Sequence, residues 1–138
     1  MRKIFIDTNV LIDFVCCREE FLKAAKTIFL MGHEKEVELV ISSLSFINAY
    51  YVGKRNKLPV EQLKHSLLMI ATFVTISDIG RNDILASLTE TEFKDFEDAV
   101  QYYSAKKWYA DVIVTRNKKD FQNADIPVLT PDEFLVSI

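Results

Sequence analysis

Glycine and proline are scarce, at three residues each in a chain of 138, and no stretch is compositionally biased or repeated. Linker-rich, disordered and solenoid architectures therefore find no support, and the loops must be short. Cysteine is nearly as rare. Cys16 and Cys17 stand side by side, with no second pair and no His at metal-ligand spacing. A structural zinc site or a disulfide framework is not expected, and the pair reads as small residues partly buried on a helix. Long apolar runs are missing too. After Arg2 and Lys3 only Ile4, Phe5 and Ile6 precede Asp7, too short for a signal-peptide core or a bilayer span, so the expected location is the cytoplasm, with no membrane partner.

Surplus positive charge is also lacking. The formal net charge is −3, which argues against binding nucleic acid through a general basic surface. The balance is uneven along the chain: residues 1–70 carry ten Lys and Arg against eight Asp and Glu, and residues 71–138 carry seven against twelve. The acidic second half needs a reason.

What is present is a core. A hydrophobic content of 49% with ten Phe and five Tyr suffices for one domain spanning residues 1–138. Apolar β-branched runs at Ile4–Ile6, Leu39–Ile41, Phe73–Ile76 and Val112–Val114, with a weaker one at Val128-Leu129, read as short buried strands. Helical periodicity lies between them, in Phe21, Ala24, Ala25, Ile28 and Phe29 and in Leu63, Leu67, Ile70 and Ala71. The alternation predicts an α/β fold, a central parallel sheet covered by helices on both faces. Ser42 or Ser43 can cap a helix reaching about Lys54, Pro59 suits the first turn of the next, and Thr130-Pro131-Asp132-Glu133 reads as the capped start of a last short helix.

The first strand runs directly into Asp7-Thr8-Asn9. A carboxylate where a strand ends and a helix begins sits where open α/β sheets put ligands, and it can hold a divalent cation. Further on, Asp95, Glu97 and Asp98 open a helix whose apolar stripe is read as Phe96, Ala99, Val100 and Tyr103. Acids in a first turn complement the helix dipole; a half-buried Asp98 beside other acids also makes sense around a cation, and both readings stand. The strand Val112–Val114 ends in Thr115-Arg116-Asn117-Lys118-Lys119-Asp120-Phe121, a second polar strand end. Asn117 and Asp120 are ordinary turn formers, or they join Asp7 at one sheet edge.

These three segments, Ile-Asp-Thr-Asn-Val-Leu-Ile, Asp-Phe-Glu-Asp-Ala and Thr-Arg-Asn-Lys-Lys-Asp-Phe, in this order and nearly end to end, resemble a PIN domain of the kind found in bacterial VapC-type toxins. The resemblance implies a Mg²⁺- or Mn²⁺-dependent ribonuclease with sheet order 3-2-1-4-5 and an acidic pocket at the carboxyl edge. By motif position Asp7 is similar to the first acid and Asp98 to the third, while Asn117 and Asp120 cover the region of the fourth. Where the family usually carries Glu after the second strand, this chain has Asn48. Asn still offers a carbonyl oxygen but no charge, so metal affinity should fall unless Asp95 or Asp120 compensates.

On this reading Asp7, Asp98 and Asp120, with Asp95 and Asn48, surround the metal, and Thr8, Asn9, Thr115 and Asn117 hold them in place. Arg116 and Lys118 are ordinary surface charges by default; their place beside the pocket suits them to RNA phosphates. A small antitoxin protein and a homodimer are the partners such toxins commonly have. Asn48 motivates a rival, a catalytically weakened PIN scaffold that binds RNA or a protein. A phosphotransfer protein also places Asp at the first strand end, but phosphatases of that kind need a second Asp where Asn9 stands.

Overall fold

In a computed structural model describing all 138 residues, alternation is visible along the three central strands. In β1 (Lys3–Ile6), β2 (Glu38–Ser42) and β4 (Val112–Val114), successive side chains point to opposite faces. Ile4, Ile6, Leu39, Ile41, Val112 and Val114 meet a large core under α1 (Thr8–Val15), α2 (Glu19–His33), α3 (Ser43–Arg55), α4 (Val60–Ala71) and α7 (Pro131–Ser137). Phe5, Val40 and Ile113 meet a smaller core under α6 (Phe96–Lys107), on which α5 (Arg81–Thr89) packs. With β3 (Thr75–Ser77) and β5 (Val128–Leu129) the sheet is wholly parallel and ordered β3-β2-β1-β4-β5.

This order reverses direction at β1 and β4, which are neighbours in space though far apart in sequence. Crossovers leave them on opposite sides, so a crevice opens beyond their carboxyl ends. Asp7 and Thr115 are the residues that follow those two ends. Close helix contact behind the crevice depends on missing side chains. A Cβ on Gly53 would lie 2.7 Å from Leu63 of α4, and one on Gly32 would overlap Leu39 of β2.

Several sequence expectations shift. β3 covers Thr75–Ser77 rather than Phe73–Ile76, because the chain makes its turn out of α4 over Phe73 and Val74. The stripe of α6 is rotated: Phe96 and Tyr103 are not its buried face, and Ala99, Val100, Gln101, Tyr102, Ser104 and Ala105 are. Cys16 and Cys17 lie past the end of α1, with Cys17 exposed in the left-handed region at φ 51°. The expected caps form, Ser42 accepting from the Ser45 N–H and Thr130 from that of Glu133. No helix is long and apolar enough to cross a membrane.

Candidate active site

β1 delivers Asp7 to the crevice as the N-cap of α1, where one carboxylate oxygen accepts from the Thr8 N–H at 2.9 Å. The same oxygen accepts from Gln101 Nε2 at 3.0 Å, and the other accepts from Thr115 Oγ1 at 2.8 Å. Every donor around Asp7 is neutral. Asp7 is only 7% exposed, and burial raises its pKa; the bonds from Gln101, Thr115 and Thr8 pull the other way, and the charge of Asp120 adds to the rise.

Asp98 reaches the same cavity from the first turn of α6, and Asp120 from the 3-10 turn Lys118–Phe121 after β4. The cavity is about 210 Å³, and Asp7, Asp98 and Asp120 share its wall with Asn117 and Arg18. Half-buried Asp98 is pushed up to about 7 by desolvation and then by the charges of Asp120, Asp95, Asp7 and Glu97. Like charges at this density are unfavourable without a counter-charge.

Thr8, Asn9, Thr115 and Asn117 lock the two strand ends together. Asn9 Nδ2 bonds Thr115 Oγ1 at 3.2 Å, its Oδ1 accepts from the Arg116 N–H at 3.3 Å, and Thr115 Oγ1 accepts from the Asn117 N–H at 3.1 Å. Thr8 Oγ1 meets Ser45 Oγ at 2.7 Å.

Other expected residues fall elsewhere. Asp95 caps α6 by accepting from the Asp98 N–H and lines a separate cleft on the far side of Asp98 and Asp120. Asn48 lies in an adjoining groove with Tyr51, Lys54 and Arg55, which meets the carboxylate cavity along Thr8, Ile12 and Glu97. Arg116 and Lys118, expected at RNA phosphates, do not line the carboxylate cavity. Arg116 grips buried Asp13 through Nε at 2.7 Å and Nη2 at 3.1 Å, and Lys118 pairs with Glu133 of α7. Both charges are already engaged, and Lys118 lines a different hollow.

The residue missed entirely is Gln101. At 2% exposure it donates from Nε2 toward Asp7, Ser45 and Thr8 and accepts from Ser42 through Oε1. It belongs to a buried polar seam that includes Ser42, Ser45, Ser77 and Ser104, the last two bonded at 2.6 Å. Nothing in the sequence marked it: Ser42 and Ser77, which end β2 and β3, are revealed as register partners only by the fold.

A divalent cation fits the donor set here, which is hard, anionic and crowded around a proton-hungry Asp98. No group of three acidic, His or Cys side chains is arranged to hold a metal ion, so a cation here would rest on one or two carboxylates and its own waters.

A parallel α/β protein with its acids gathered at the topological switch point is the class that fold and geometry define. A PIN domain family model matches residues 3–119, and the chain belongs to the PIN domain family. It is similar to Ribonuclease VapC1 of Aquifex aeolicus, 29% identical over 136 residues that span 96% of this chain and 92% of that protein. A toxin-antitoxin complex from Klebsiella pneumoniae is similar with TM-score 0.67 and 25% identity, covering 93% of this chain and 97% of that one. VapBC2 from Rickettsia felis bound to a DNA fragment from their promoter shares the fold at TM-score 0.67 and 20% identity, over 92% of this chain and 96% of that one.

Proposed function

We propose that the protein is a divalent-metal-dependent endoribonuclease. The observation that carries this reading is the cavity where Asp7, Asp98 and Asp120 meet with no cation paired to any of them. The likeness to a protein named Ribonuclease VapC1 supports it. Mg²⁺ or Mn²⁺ held by Asp98 and Asp120, with Asp7 behind them, would lower the pKa of bound water and neutralise charge on the leaving oxygen.

The chain's own residues orient and exclude. Asp7 is fixed in one rotamer by Thr8, Thr115 and Gln101, so its charge points at the cavity instead of swinging to solvent. The adjoining groove, about 790 Å³, leads an RNA strand past Lys54 and Arg55, whose charges suit backbone phosphates, and past Tyr51, whose exposed ring suits a base. These replace Arg116 and Lys118 in that role. Asn48, in the same groove, is cast as an RNA-facing amide outside the metal shell.

Likeness to a solved toxin-antitoxin complex supports a toxin role with a small antitoxin as partner. The chain's location is proposed to be the cytoplasm. The test is cleavage: purified protein with Mn²⁺ should cut single-stranded or structured RNA, and Asp98→Asn should not. Equal activity in wild type and Asp98→Asn would sink the proposed metal site, and tight RNA binding without turnover would replace the nuclease by a binding scaffold.

A further inference from the structure

One cationic side chain lies in the wall of the carboxylate cavity, Arg18. Its placement makes little sense for folding. Arg18 is the N-cap of α2, where its side chain forms no capping bond, and a cation at a helix N-terminus opposes the dipole. The residue before it, Cys17, is held at φ 51°, a conformation that costs a non-glycine residue about 1 kcal/mol. Two local costs together present this arginine to the cavity.

Arg18 is also not needed where it touches the protein. Asp13 is fully buried on α1, and Arg116 satisfies it through two bonds while stacking over Phe21 at 4.0 Å. Arg18 reaches the same carboxylate with one nitrogen at 3.5 Å, at the limit of a hydrogen bond, and its side chain is 38% exposed. One negative charge faces two guanidiniums, so one positive charge is left over. It forms no ion pair with Asp7, Asp98 or Asp120, so it is not consumed in balancing them.

We propose that Arg18 contacts the scissile phosphate of RNA bound at the carboxylate cavity. A guanidinium fork matches two phosphate oxygens, and its loose hold on Asp13 lets it swing inward without leaving a buried charge unpaired, because Arg116 stays. It stabilises the charge that grows on those oxygens as the bond breaks. The assignment rests on the nuclease reading above.

The experiment uses the full chain as wild type, Arg18→Ala, Arg18→Lys and the surface control Lys26→Ala. Cleavage of a fluorescent RNA with Mn²⁺ is measured alongside melting temperature. Binding of the same RNA to Asp7→Asn, with and without Arg18→Ala, is followed over a salt series. Arg18→Ala should lose on the order of 100-fold in kcat/KM, mostly in kcat. Arg18→Lys should recover only a small part, because a point charge cannot fork. Lys26→Ala should match wild type, and melting should change little. In the Asp7→Asn background the salt slope of binding should fall by roughly 0.7 when Arg18 is removed.

Arg18→Ala cleaving within about twofold of wild type overturns the assignment, as does a loss that saturating Mn²⁺ restores with the salt slope unchanged. A wild type that neither binds nor cuts RNA overturns the nuclease reading and the assignment together. That outcome is distinct from an active wild type whose Arg18→Ala variant is equally active.

Discussion

Asp7 and Asp13 lie six residues apart at the two ends of α1, and both are buried, yet the protein treats them in opposite ways. Asp13 is met by two arginines, one of them bidentate, whereas Asp7 is met only by neutral donors from Thr8, Gln101 and Thr115. A buried charge with a cationic partner is neutralised internally and can only hold structure together. A buried carboxylate that is oriented but not neutralised retains charge for something else. Asp98 and Asp120, half-buried in the same cavity, likewise have no cationic partner, and the crowding shows in the raised pKa of Asp98.

The contrast breaks most sharply at Asp7 itself. Asp7→Asn should reduce RNA cleavage by about 100-fold, the upper end for a group that stands behind the metal ligands, while melting no lower than wild type. Removing Asp13 should do the reverse. Asp13→Ala leaves Arg116 without its partner and should cost about 3 kcal/mol in urea unfolding, and adding Arg116→Met should recover part of that loss.

Gln101→Ala tests the orienting side of the comparison. It should lower cleavage by about 10- to 100-fold by freeing Asp7 from one of its fixed donors. The smallest effect is the pH dependence of the metal-free protein. A carboxyl whose folded pKa is raised to about 7 binds its proton more tightly when folded, so this contribution to stability is complete below the unfolded value near 3.8 and fades as pH rises through about 7. The melting temperature without metal should therefore fall between about pH 4 and pH 7 and level off above, and Asp98→Asn should flatten that fall.

Some of this was legible in the chain and some was not. Asp7, Asp98 and Asp120 stand at a strand end, in a helix first turn and in the turn after a strand, positions that local patterning marks. Parallel sheet and helix layers followed from apolar runs alternating with helical stripes. The strand order came from family resemblance, and it is the order observed.

Gln101 was invisible because a lone Gln in a helix looks like a solvent residue. Its burial depends on the rotation of α6, and Phe96 and Tyr103 made the wrong face look apolar. The partners of Arg116 and Lys118 were equally hidden. Asp13 reads as one more polar residue in a short helix until α1 and the loop after β4 are side by side in three dimensions.

Calorimetric titration of Mn²⁺ into the metal-free protein at pH 8 tests the central claim, that the unneutralised acids await a cation, most directly. Wild type should bind with an affinity that falls toward tenfold for each pH unit below about 7, as Asp98 takes up its proton, and Asp98→Asn should bind far more weakly with no such dependence. No binding by wild type, or equal binding by both, would contradict it.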